Sequence, residues 1–223
     1  MSDAAIKWKA LESNPEVFTE FSRKLGLPEN WVVGDIFGLD EELLAFVPQP
    51  CLAVLLVIPC TTKTADKGDS ELAKKVFYMK QPDELGNACG TIALFHAFAN
   101  HADELGLKEG AFRAWLEKMK DLTPEQRGDA LNTHDDLNDL HNSSAVQGAT
   151  EVKIEGVEHH FVCFTSVEGV LYELDGRKSG PVCHGEIQEP SMLHAAARTI
   201  REVYIAPNPD ICEFAMMSVA PAQ

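Results

Sequence analysis

The chain has 223 residues, of which 45% are hydrophobic, 24% charged and 8% aromatic, a length and mix that suit one buried core and exclude a disordered, collagen-like or coiled-coil chain. Its 35 acidic and 19 basic residues give a formal charge of −16, which would repel a phosphate backbone, so no nucleic-acid partner is expected; a basic protein or peptide tail fits, as does acidity that only keeps the protein soluble. The longest apolar run, Leu52 to Pro59, falls far short of the roughly 18 to 20 residues of a membrane span, and no apolar stretch marks a signal peptide, so the expectation is a cytoplasmic protein with no membrane partner.

In chain order, Asn14 and Pro15 open a helix whose apolar stripe runs through Phe18, Phe21 and Leu25, and Gly26 stops it. Trp31 to Phe37 reads as a strand, Asp40 caps a short helix ending near Phe46, and Leu52 to Ile58 reads as a strand covered on both faces. Thr61 to Ser70 is a polar loop, and Val76 to Lys80 reads as a strand broken at Pro82. Ala88 to Asn100 has helical spacing, with Ile92, Phe95 and Ala99 on one side. A helix from about Ala111 to Lys120 follows, then one opened by Thr123, Pro124 and Glu125 that runs toward Leu140 despite Gly128. His141 to Glu158 lacks periodicity and reads as a long loop. Phe161 to Val167 and Val170 to Leu174 flank the hairpin signal Glu168-Gly169; Ser191 to about Val203 is a helix and Glu213 to Val219 a last strand. Interleaved helices and strands with an antiparallel hairpin predict an α/β fold with helices on both sides of one sheet, as a single domain over 1–223.

Six cysteines, at 51, 60, 89, 163, 183 and 212, form no C-x-x-C pair, so most are expected as reduced core thiols. His159, Cys163, Cys183 and His184 match no common zinc spacing, and His96 is expected to pack or to lie at the surface.

Cys89, in Gly86-Asn87-Ala88-Cys89-Gly90-Thr91, sits where a loop turns into a helix. There the helix dipole and unpaired N–H groups favour a thiolate and could hold an oxyanion, although a small buried cysteine packing a helix start would read the same way. A nucleophilic thiol needs an imidazole and a group to orient it. If Glu168-Gly169 is a two-residue turn, Val167 faces Val170 and Val162 faces Asp175, which places His160 on Asp175's face, diagonally about 7 to 8 Å away, and turns His159 aside. A three-residue turn would reverse that choice.

The strings Phe77-Tyr78-Met79-Lys80-Gln81, Asn87-Ala88-Cys89-Gly90-Thr91-Ile92, His160-Phe161 and Leu171-Tyr172-Glu173-Leu174-Asp175-Gly176-Arg177 resemble the ubiquitin carboxyl-terminal hydrolases, in particular their small single-domain members. The resemblance implies an α+β, papain-like cysteine protease fold with a central, largely antiparallel sheet between helices and a knotted backbone. It implies Cys89 as nucleophile, His160 as base and then acid, and Asp175 as orienting carboxylate, with no cofactor. The partner implied is ubiquitin or a ubiquitin-like protein, the chain acting as a monomer on small or unfolded adducts, with the loop from His141 to Glu158 crossing the site. The family's oxyanion-donating glutamine stands six positions before the nucleophile, where this chain has Asp83; Gln81, eight positions before Cys89, is the candidate if Pro82 to Leu85 merely lengthen the turn. An ionised Asp83 accepts but cannot donate. A ubiquitin-binding protein with little turnover, or an unrelated papain-like amidase, is the alternative.

Overall fold

The computed structural model describes residues 8–147 and 159–223. At its centre lies the run Ala53–Pro59 (β2), seven residues that are all buried. Such a run needs cover on both faces, and it has it. Leu55 and Val57 join a core with Phe18, Phe95 and Phe98, while Val54, Leu56 and Ile58 join a second core with Leu193 and Ile200.

Among the described residues, six antiparallel strands make the sheet: β1 (Trp31–Asp35), β2, β3 (His159–Val167), β4 (Val170–Leu174), β5 (Val182–Glu186) and β6 (Ala215–Pro221), in the order β1-β6-β2-β3-β4-β5. Helices α1 (Pro15–Lys24), α3 (Cys89–Asn100), α4 (Ala111–Met119), α5 (Pro124–Asn132) and α6 (Asp135–Gln147) contribute to the first core, and α2 (Glu41–Leu44) and α7 (Met192–Ile200) to the second. The expected sheet between helices is what the chain forms. Residues Cys89 to Phe98 of α3 are all buried, because that helix is apolar on every side and is enclosed by the sheet and its neighbours. No helix among the described residues is long and apolar enough to cross a membrane.

Four local readings are corrected. Val76 to Lys80 belongs to no strand: Val76 is a bend whose N–H returns to the Leu72 carbonyl at 3.1 Å, and the residues after it form no regular element. The middle of its backbone is satisfied by side chains: Asn100 bonds both the N–H (2.8 Å) and the carbonyl (3.0 Å) of Phe77, His96 Nε2 lies 3.1 Å from the Met79 N–H, and Arg127 donates to the Tyr78 carbonyl at 2.8 Å, while the Lys80 N–H donates to the Pro124 carbonyl. Apolar alternation favours an extended chain; only a neighbouring strand edge makes it a strand.

The helix expected from Thr123 toward Leu140 divides into α5 and α6, and α6 continues through Gln147, so the expected loop begins later; the remainder of that loop, 148–158, lies outside the described residues. Gly128 sits where α5 approaches the Lys80 carbonyl so closely that a Cβ would stand 2.4 Å from it. β5 was not expected, because Val182–Glu186 is short and half-exposed, with a register irregularity against β4. Finally, all six thiols are free, but Cys60, Cys183 and Cys212 are exposed; only Cys51, Cys89 and Cys163 are buried.

Candidate active site

The β3–β4 hairpin turns in two residues, Glu168 at φ 52° and Gly169 at φ 78°, both left-handed as the right-handed twist of paired strands requires. Val167 stands opposite Val170 and Cys163 opposite Leu174. This register puts His160 and Asp175 on one face, and their side chains meet, with His160 Nε2 2.7 Å from Asp175 Oδ1. Both residues are buried. The same carboxylate oxygen accepts the Arg177 N–H at 2.9 Å. His159, beside His160 in sequence, is exposed and lines a cleft instead.

Cys89 is the first residue of α3, and no side chain caps that helix, so its first-turn N–H groups are left for a ligand. With Nε2 engaged by Asp175, His160 Nδ1 is buried without another partner, and the Cys89 thiol is its neighbour across the α3–β3 contact. Burial alone would raise the thiol, but the His160 ring, the Phe161 N–H and the Arg177 charge outweigh it and hold Cys89 below its ordinary value. Burial likewise opposes charging His160, and Asp175 and Cys89 overcome it, so the imidazole is raised. For Asp175, burial is outweighed by His160, the Arg177 N–H and Lys178, which keep the carboxyl below the usual carboxylate range. The three shifts favour one charge state: thiolate, imidazolium and carboxylate.

Gln81 closes the Val76 to Lys80 segment next to Gly176. Its N–H donates to the Gly176 carbonyl at 2.9 Å, its Nε2 donates to the Gly86 carbonyl at 3.0 Å, and its Oε1 is buried without a partner. Between Gln81 and Cys89 the chain coils into a single 3-10 turn, Asp83–Leu85, with Leu85 fully buried and Gly86 at φ 68°. Gly86 in turn pairs with Trp8. Gln81 thus stays beside the residue that follows Asp175, and Asp83 is exposed to solvent.

A cleft of about 740 Å³ opens beside Cys89. Leu11 and Glu12 from the N-terminal segment, Asn87, His159, and Glu213 and Phe214 from the approach to β6 line it. Segments from near the two ends of the described chain therefore wall one cleft. Nothing in their local sequence marks them, since neither stretch carries a motif and the juxtaposition is wholly non-local.

The conceivable zinc quartet does not assemble. Cys163 is in the core, Cys183 and His159 are exposed, and His184 bonds Glu173 at 2.9 Å. His96 packs: its ring stacks on Tyr78 at 5.2 Å, and burial pushes it down to about 4.

A thiol at an uncapped helix start, facing an imidazole held by a carboxylate, has the chemistry of cysteine hydrolases. Residues 8–205 match the family described as ubiquitin carboxyl-terminal hydrolase, family 1, a cysteine peptidase family, and the chain belongs to it. It is similar to ubiquitin carboxyl-terminal hydrolase 3 of Arabidopsis thaliana, at 37% identity covering 98% of this chain and 96% of the relative. It is 37% identical to a ubiquitin carboxyl-terminal hydrolase of Drosophila melanogaster, covering 98% and 99%. Isozyme L1 of Rattus norvegicus is 39% identical, covering 88% and 91%. In fold it is similar to the Trichinella spiralis UCH37 catalytic domain, solved bound to ubiquitin vinyl methyl ester, with a TM-score of 0.77 at 23% identity over 96% of both chains.

Proposed function

We propose that this chain hydrolyses the bond after the C-terminal glycine of ubiquitin, or of a ubiquitin-like protein, through a thioester on Cys89. The observation that carries this reading is the imidazole of His160, with Nε2 2.7 Å from Asp175, Nδ1 left free of it, and the Cys89 thiol among the groups that bear on the ring. The thiolate attacks the glycine carbonyl. The oxyanion is met by the first N–H groups of α3 and by the Gln81 amide, and His160 gives its proton to the departing amine. Water then enters, His160 takes a proton from it, and the thioester is cleaved to the C-terminal acid, which ionises in solvent, and the Cys89 thiolate, restoring the thiolate and imidazolium pair. Asp175 keeps the ring oriented and stabilises its charged form.

The cleft supports a basic, extended tail as the bound segment. The carboxylates of Glu12 and Glu213 flank it, with Leu11 and Phe214 as its apolar wall. The preferred leaving groups are small or unfolded adducts. The test is turnover of a ubiquitin C-terminal fluorogenic amide beside a ubiquitin binding measurement. Turnover that disappears in Cys89→Ala, with binding retained, is the expected result. Binding without turnover in the wild type would make the protein a ubiquitin-holding protein, and neither would point to another peptide amide.

A further inference from the structure

Tyr78 reaches from the segment before Gln81 to the turn that carries Asp175. It is fully buried, and its hydroxyl lies 2.7 Å from the Asp175 carbonyl and 2.7 Å from the Lys178 carbonyl. A phenol has one proton, so the two carbonyls share it and the turn is pinned at both ends. Inside that turn the Lys178 N–H donates to the Asp175 carbonyl at 3.0 Å, and the Arg177 N–H donates to Asp175 Oδ1 at 2.9 Å. That oxygen is the one facing His160, so the conformation of the turn aims the carboxylate.

Tyr78 is itself held firmly. Its ring stacks on His96 within 10° of parallel, its carbonyl accepts from Arg127 at 2.8 Å, and the next N–H lies 3.1 Å from His96 Nε2. Burial and then the charges of Asp175 and Asp66 raise the hydroxyl above its ordinary value, so it remains a donor throughout the working range.

We propose that Tyr78 is a positioning residue for hydrolysis, its hydroxyl holding the 175–178 turn so that the Asp175 carboxylate meets His160. This rests on the reading of Cys89, His160 and Asp175 as the reacting centre. The groups bearing on His160 are Cys89 from α3 and Asp175 from the turn, with Cys60, Asp66, Arg177 and Lys178 around the pocket on their far side.

Tyr78→Phe keeps the ring and its stacking and removes only the donor. Misplacing the carboxylate should lower kcat on the order of 10-fold to 10²-fold with KM unchanged. It should also narrow the pH profile of kcat/KM. A less supported imidazolium loses its proton at lower pH, and a less supported thiolate forms at higher pH. The second readout needs no ubiquitin: the pH dependence of Cys89 alkylation by iodoacetamide, followed by mass spectrometry on the Cys89 peptide. Phe77→Leu, which loosens packing in the same segment without touching the turn, should leave both profiles in place. The proposal is overturned if Tyr78→Phe leaves both profiles where the wild type has them, or if its loss of rate only follows its loss of folded protein. A shifted alkylation profile in a protein that cleaves no ubiquitin conjugate would retain the positioning role and remove the proposed substrate.

Discussion

His141 Nδ1 lies 2.7 Å from the hydroxyl of Thr91, two residues beyond the candidate nucleophile, so the middle of α6 is tied directly to the first turn of α3. The other ring nitrogen reaches the Lys9 carbonyl at 2.6 Å, and the ring packs on Trp8 at 4.5 Å. One buried imidazole thus joins the nucleophile's helix, α6 and the N-terminal segment of the cleft.

This arrangement makes stability depend on pH in a definite direction. Burial pushes His141, like His96, down to about 4 from an ordinary 6.5. The unfolded chain therefore binds protons that the folded one refuses. Stability is complete above the unfolded value and is lost as pH falls toward 4, by up to about 3 kcal/mol per histidine. Urea unfolding over a pH series should show this loss. His141→Gln should be less stable near neutrality but should lose stability less steeply below it; a slope identical to that of the wild type would refute the assignment.

The hairpin register separates two adjacent histidines. His160→Ala should reduce turnover as severely as Cys89→Ala, while His159→Ala should leave kcat within a few-fold and act, if at all, on KM through the cleft wall. Asp175→Asn should lower kcat with a smaller effect on binding. Steady-state kinetics on a fluorogenic ubiquitin amide would show the pattern, and the reverse order for the two histidines would contradict the proposed roles.

Gln81→Ala should cost on the order of 10² to 10³ in kcat with little change in ubiquitin affinity, the usual loss for one oxyanion donor. Single-turnover rates are the measure. Because Gln81 Nε2 also donates to the Gly86 carbonyl, a nearly silent variant would reduce its role to anchoring the loop. Deleting Pro82 and Asp83 removes the start of the 3-10 turn, and activity should survive it if that turn only takes up length.

Glu173, two residues before Asp175, is buried and accepts from the Tyr204 hydroxyl at 2.7 Å, from His184 at 2.9 Å and from the ammonium of Lys178. Burial would raise this carboxyl, but its partners hold it low. Lys178→Met leaves a buried charge short of its cation and should destabilise the fold by about 3 to 5 kcal/mol. The midpoint of urea unfolding would report it, and an unchanged midpoint would mean that His184 and Tyr204 suffice.

The formal charge of −16 should steer a basic tail toward the cleft. Raising salt from low to moderate ionic strength should therefore slow ubiquitin association more than it speeds dissociation. Stopped-flow rates indifferent to salt would leave the acidity as a matter of solubility.

Local chemistry along the chain was enough to place much of this protein. Pro15 and Gly26 bound α1, the unbroken apolar run of β2 implies cover on both faces, and the two-residue turn Glu168-Gly169 determines which histidine can meet Asp175. These features are legible because capping, burial and strand parity act over a few residues. What needed the tertiary structure is everything that depends on a distant neighbour. Val76 to Lys80 has a strand's pattern but finds side chains of α3 and α5 instead of a strand edge. β5 has little pattern of its own and forms because β4 offers it an edge. The cleft wall of Leu11, Glu12, Glu213 and Phe214, and the hydroxyl of Tyr78 on a turn nearly a hundred residues away, come together only when the sheet closes. No local periodicity encodes such meetings, because their energy is realised only once both partners are folded.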